Sequence, residues 1–268
     1  MKNKLKDKVA IITGGNGGIG YAITKRLVQN GVKVYNISRA TINFEEFAKS
    51  YEADVNDTEK MKSIIEEIYN QEKRIDIFIN NAGFGTMGAI ENSSRENIYK
   101  LVETNLSSVI ALSSIITPYL KETKGNIINI SSVGGIIPLP FQATYSATKA
   151  GIEIFSRALA NEVKPFGIKV TAILPGDTKT TFTQNRIVEN NQKDEKYKET
   201  VEKSIKKVEK DEQTGKSPDA VAKVVIKVLK KKNPPLRKTV GFTYKLVVFL
   251  PRILPTRLVN YIVRKLYC

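Results

Sequence analysis

Five short runs, at residues 9–12, 32–37, 75–79, 126–130 and 168–174, are rich in Val or Ile and read as strands without a polar face. A strand needs to be apolar on both sides only when helices cover both faces of its sheet, which is the arrangement of parallel sheets. Longer helical patterns at 19–29, 58–69, 95–120 and 145–161 fill the gaps. Strand and helix in alternation imply βαβ crossovers, so the fold class expected is α/β with a doubly wound parallel sheet. A chain of 268 residues, 41% of them apolar, suits one domain with a sizeable core. No internal repeat or low-complexity linker interrupts it.

Two regions break the alternation. Residues 179–213 are polar and rich in Lys and Glu, with a helix expected over 195–211. This stretch reads either as a lid over a substrate or as a solvated helix that closes over nothing. Asn233-Pro234-Pro235 end a helix, and an apolar-basic extension follows. The division expected is therefore a domain over 1–232 and a C-terminal extension over 233–268.

Composition limits the chemistry. Histidine is absent, so proton transfer falls to Tyr, Lys, Ser or a carboxylate, and no metal site is expected. The one cysteine, Cys268, allows no intrachain disulfide, which points to a reducing, cytoplasmic setting. A basic start, residues 1–8, precedes only four apolar residues before the first glycines, so it reads as the approach to a strand and not as a leader. The net charge is +16, and residues 216–268 carry thirteen Lys and Arg against one acid, Asp219. Such asymmetry suits an anionic partner or a solvated Lys-rich tail. The positive charge is mixed with bulky aliphatics and no nucleic-acid motif occurs, so nucleic acid is not the partner expected.

Thr13-Gly14-Gly15-Asn16-Gly17-Gly18-Ile19-Gly20 follows the first strand and opens a helix. Glycines let the backbone turn sharply and approach a pyrophosphate, and the helix start offers free N–H donors and a positive dipole end. Gly14, Asn16, Gly18, Ile19 and Gly20 are the cofactor-binding candidates here. The spacing Thr-Gly-x-x-x-Gly-x-Gly resembles that of the short-chain dehydrogenase/reductase family, which has a Rossmann-like fold. Further matches support the resemblance, which covers roughly residues 5–230. Asp54-Val55 is similar to the family's adenine-contacting segment. Asn80-Asn81-Ala82-Gly83 matches its Asn-Asn-Ala-Gly signature, making Asn81, Ala82 and Gly83 cleft residues. Pro175-Gly176-Asp177-Thr178-Lys179-Thr180 matches its Pro-Gly-x-x-x-Thr segment, in which Pro175, Gly176 and either Thr178 or Thr180 would hold the nicotinamide carboxamide.

The second strand ends at Ile37-Ser38-Arg39. Members that use NAD place an acid there, on the ribose 2′-hydroxyl. Ser38 stands in its place, and the neighbouring Arg39 is either a clamp for a 2′-phosphate or a solvated surface residue. NADP(H) is favoured over NAD(H) on this ground.

Tyr145 and Lys149, one helical turn apart, share a face. A lysine beside a phenol is expected to lower the phenol's pKa from about 10, toward the pH at which an acid-base catalyst works. A lone Tyr-x-x-x-Lys pair is commonly just a helix face. Ser132 lies thirteen residues before Tyr145 at the end of a strand, and this is the family's Ser–Tyr spacing. Its neighbour Ser131 should point to the other side of the strand. The resemblance implies that Tyr145 exchanges a proton with the substrate oxygen, that Ser132 orients that oxygen, that Lys149 tunes Tyr145 and holds the nicotinamide ribose, and that Asn105 anchors a water linking Lys149 to solvent. Tyr145 and Lys149 thus count among the cofactor contacts as well.

The activity implied is NAD(P)-dependent interconversion of a carbonyl and an alcohol. Two other readings compete: a nucleotide-binding regulator with little turnover, which would be expected to lose catalytic groups, and a membrane-peripheral redox sensor. Residues 236–267 interleave Leu, Val, Ile, Phe and Tyr with Lys and Arg. Such a tail lies on an anionic membrane surface, covers the active site, or packs as a helical pair on the core or at a subunit interface. It resembles the tails of members that act on retinoids, steroids or other lipids, so an apolar substrate is expected. The resemblance also implies a homo-oligomer, with a dimer favoured.

Overall fold

The computed structural model describes residues 3–42, 48–189 and 195–268, with the side chains of 195–197 outside the description. In chain order, β1 (Val9–Thr13) turns into α1 (Gly18–Gln29), followed by β2 (Lys33–Ser38), β3 (Ala48–Glu52), α2 (Thr58–Glu72) and β4 (Ile77–Asn80). The short β5 (Thr86–Met87) precedes α3 (Arg95–Val102), which passes through a π turn, Glu103–Ser107, into α4 (Ser108–Thr123). Then come β6 (Asn126–Ile130), α5 (Ala143–Glu162), β7 (Lys169–Leu174), β8 (Ile187–Val188), α6 (Glu195–Gln213), α7 (Pro218–Leu229), β9 (Arg237–Thr239), α8 (Phe242–Phe249) and α9 (Thr256–Tyr267).

Seven strands form one sheet in the order β3-β2-β1-β4-β6-β7-β9, and every pairing is parallel. Consecutive residues of a strand face opposite sides. Ile11, Phe78 and Ile127 join the core with α2 and α4, whereas Ile12, Ile79 and Ile128 join the core with α1 and α7. This is why the central strands read as unbroken apolar runs. On the second side Arg26 of α1 grips Asp219 of α7, its Nη2 2.8 Å from Oδ2.

Strand order reverses between β1 and β4, and a parallel sheet opens a crevice at its carboxyl edge at such a point. The glycine turn after β1, the Asn81 segment after β4, Ser132 after β6 and Pro175 after β7 all fall there.

Two strands of this sheet were not located from the sequence. β3 is half-exposed and carries no apolar run. β9 is short and basic, and it lies beyond residue 232. The sheet continues to Thr239, with β9 secured by Arg237 donating to Glu153 at 3.2 Å. Helix Arg95–Thr123 is long and apolar enough to cross a membrane by length and composition alone. In this fold its Leu112, Ile116 and Leu120 are core residues against the sheet.

Candidate active site

A cavity of about 830 Å³ runs along the carboxyl edge of the sheet. At one end is the glycine turn. Gly14 and Gly18 hold positive φ (65° and 50°), and a Cβ on Gly20 would lie 2.1 Å from the Gly14 carbonyl oxygen. Only glycine lets the turn and α1 meet this closely. Thr13 Oγ1 accepts from the Asn81 and Ala82 amides (3.0 and 3.1 Å), while Asn81 Nδ2 donates to the Thr13 and Gly14 carbonyls (3.0 and 2.9 Å). The ends of β1 and β4 are thus locked around the turn. Asn16 Nδ2 donates to the Ala40 carbonyl at 3.2 Å and ties the turn to the chain after β2.

No side chain caps α1, and its first turn holds no acid. Its leading N–H groups therefore face the cavity with a positive dipole end and no competing anion. A backbone cradle that a Cβ would fill, beside an uncapped helix start, fits the pyrophosphate of a dinucleotide. Asp54 and Val55, after β3, line the same end, and Asp54 Oδ1 accepts from the Asn56 amide at 2.9 Å. Ser38 also lines it, but its buried hydroxyl donates to Asn36 Oδ1 at 2.8 Å and is engaged beneath the loop. Arg39 stands exposed on the rim and forms no ion pair among the described residues.

At the other end α5 carries Tyr145 and Lys149, both buried. Ser132 Oγ accepts from the Gly134 amide at 3.0 Å and acts to lower the pKa of the Tyr145 phenol. Ser131 Oγ instead donates to the Lys149 carbonyl at 2.8 Å, on the far side from Ser132. The geometry corrects one expectation. Lys149 Nζ is pinned to the Ile130 carbonyl at 3.1 Å and lies 5.7 Å from the Tyr145 ring centroid. Burial draws Lys149 down to about 8. Burial also pushes Tyr145 up to about 12, outweighing the opposing pull of Ser132, with the Glu212 carboxylate adding to the rise. Desolvation of both groups, not their attraction, sets the pKa values in this geometry.

Asn105 is fully buried in the π turn, behind the cavity wall. Its Oδ1 accepts from the Phe84 amide at 3.0 Å and its Nδ2 donates to the Phe84 carbonyl at 2.8 Å. Gly83 separates it from the cavity, and a Cβ there would sit 2.9 Å from Asn105 Oδ1 and 3.7 Å from Lys149 Nζ. Pro175, Gly176, Thr178 and Thr180 line the cavity near the glycine turn. Thr178 Oγ1 donates to the Gly176 carbonyl at 2.8 Å, and Thr180 Oγ1 accepts from the Phe182 amide at 3.1 Å.

Several lining residues carried no sequence signal. Phe182 packs against the Tyr145 ring, with centroids 6.0 Å apart. Glu212, at the end of α6, accepts from Thr183 and from the buried Arg186. Tyr244 of α8 donates to Asp177 and covers Gly176 so closely that any Cβ there would meet its ring at 2.4 Å. Val248, Val259 and Val263 of the tail pack with Val133 and Ile137, and Val247, Leu254 and Val263 face the cavity. The tail therefore forms an apolar wall over the catalytic end. The described parts of 179–213 add Phe182, Val208 and Glu212, while residues 190–194 lie outside the described chain.

A doubly wound sheet with a pyrophosphate cradle at one end and a buried Ser-Tyr-Lys set at the other defines a dinucleotide-dependent oxidoreductase. The short chain dehydrogenase family model matches residues 8–191, and the chain belongs to that family. It is 34% identical over 266 residues to a 3-ketodihydrosphingosine reductase of Bacteroides thetaiotaomicron, covering 98% of this chain and 99% of the relative. A 3-oxoacyl-[acyl-carrier-protein] reductase of Thermotoga maritima is 31% identical over 68% of this chain and 78% of its own. Among solved structures, a short-chain dehydrogenase from Streptomyces avermitilis superposes with a TM-score of 0.81 at 29% identity, covering 91% of this chain and 92% of its own. The protein is thus an oxidoreductase acting on CH–OH and C=O groups with NAD(P).

Proposed function

We propose that this enzyme is an NADP(H)-preferring reductase of an apolar, long-chain ketone. The observation that carries the reading is the single cavity in which the apolar wall of the tail adjoins Tyr145. The likeness to a 3-ketodihydrosphingosine reductase over nearly the whole of both chains, tail included, supports it. Asp177 and Glu212 border the same end, which suits a substrate head bearing an amine or hydroxyl.

The nicotinamide supplies the hydride when bound. Tyr145, kept protonated by burial, gives its proton to the substrate oxygen. Ser132 orients that oxygen from the end of β6, held by the Gly134 amide. Lys149, when charged, would steady the phenolate left behind and hold the cofactor ribose, and Asn105 fixes the Phe84 backbone near it. Arg39, exposed on the rim, would take the 2′-phosphate.

NADPH and NADH oxidation against ketones from short to long-chain tests all three parts. Tyr145→Phe should lower kcat with NADPH by about 10²- to 10⁴-fold. Arg39→Ala should raise KM for NADPH by about 10- to 100-fold, the worth of a charged hydrogen bond, and leave NADH unchanged. Equal use of both cofactors by the wild type would refute the NADP(H) preference. Cofactor binding without turnover of any ketone would favour a regulatory nucleotide-binding role.

A further inference from the structure

The buried faces of α8 and α9 meet over Val133 and Ile137, and among the described residues nothing covers their outer faces. Nine of the seventeen exposed large apolar side chains among the described residues lie between Phe242 and Leu266. Phe242 is 74% exposed and Ile253 62%. Apolar side chains scattered singly need no explanation, but a contiguous set marks a contact surface. Lys245, Arg252, Arg257, Arg264 and Lys265 are interspersed with it, all exposed and without an ion-pair partner among the described residues. No acidic residue occurs after Asp219.

We propose that the outer faces of α8 and α9 dock on an anionic lipid bilayer, so that the cavity opens toward its acyl layer. Leu250, Ile262 and Leu266 connect the cavity to the patch, because each is exposed, lies within the patch sequence and also lines the cavity. A chain of apolar contacts thus runs from the patch to the wall beside Tyr145, and an alkyl substrate can enter without crossing water. Apolar faces flanked by cations are the pattern of interfacial helices, where aliphatic residues sink below the headgroups and Lys and Arg meet the phosphates. A second copy of this chain is a poorer occupant. A two-fold contact through this face would set the same five cations against one another.

Sucrose-loaded vesicles test the docking with the full-length protein and no substrate, so the result is independent of the reductase reading. One set is phosphatidylcholine alone and the other contains about one-third phosphatidylglycerol, each at about 0.05 M and about 0.5 M salt. The wild type should sediment with the anionic set at low salt and be released by high salt. Lys245→Gln/Arg252→Gln/Arg257→Gln should weaken this binding about 100-fold, the worth of three cations at such a surface. Phe242→Ser/Phe249→Ser/Ile253→Ser should weaken it about tenfold or more through lost apolar burial. None of these six side chains lines the cavity, so the far-UV circular dichroism spectrum and urea midpoint should be close to wild type and certify the fold of each variant. Failure of the wild type to sediment with anionic vesicles overturns the proposal, as does equal binding by all three proteins. A soluble dimer that the serine variant converts to a monomer, without vesicle binding, would assign the face to a second copy instead.

Discussion

Lys149 is a buried cation held by one carbonyl, and its folded-state pKa of about 8 lies below the ordinary lysine value of 10.5. Between those two values the unfolded chain binds more protons than the folded one, so stability rises with pH across that window. Below pH 8 the folded protein carries the full cost of the desolvated charge, about 3 kcal/mol for such a shift. Lys149→Met should therefore unfold at higher urea than the wild type at pH 7, by up to about 3 kcal/mol, while losing turnover. The gap should shrink as pH rises from 8 and nearly vanish by 10.5. A Met variant no more stable than the wild type at pH 7 would mean that the ammonium is better solvated than its contacts imply. At this scale the sequence revealed what its spacing encodes. Tyr145, Lys149 and Ser132 sit one turn apart or at the end of a strand, and the cavity brings them together. The pKa values were beyond reach, because burial is set by tertiary contacts such as Phe182 on the Tyr145 ring, which no local pattern links to α5. For the same reason Asp177 and Tyr244, 67 residues apart, could not be paired in advance.

α1 and the turn before it behave as one element, because the helix can start only where Gly20 passes the Gly14 carbonyl. A methyl group there meets backbone, and backbone cannot rotate away as a side chain can. Gly20→Ala should destabilise the protein by about 1–3 kcal/mol in chemical denaturation. It should also weaken NADPH binding by at least about tenfold in a fluorescence titration, since it displaces the helix start that meets the pyrophosphate. Unchanged binding would place the dinucleotide elsewhere. This element was legible because its glycines are obligatory and follow an apolar strand. The inner strands were legible for the related reason that burial on both faces forces unbroken apolar runs. β3 and β9 lie at the sheet edges, where one neighbour suffices, and their sequences, Ala-Lys-Ser-Tyr-Glu and Arg-Lys-Thr, carry no such demand.

The whole molecule joins two unlike surfaces in one cavity, a polar cradle made by the sheet edge and an apolar wall made by the last two helices. The cradle accepts a cofactor of fixed size, whereas the wall can reward a substrate in proportion to the alkyl surface it covers. Each methylene moved from water onto such a wall contributes about 0.8 kcal/mol, roughly a fourfold gain in kcat/KM. A series of methyl ketones of increasing length should therefore show kcat/KM climbing about fourfold per carbon until the wall is covered, then levelling. Val247→Ala with Leu254→Ala, both on the wall, should lower the slope and leave the shortest ketones and the KM for NADPH unchanged. A flat series in the wild type would put the substrate chain outside the wall and limit the tail to packing. A rising series that the double variant does not alter would place the chain along Phe182, Val208 and α6 instead.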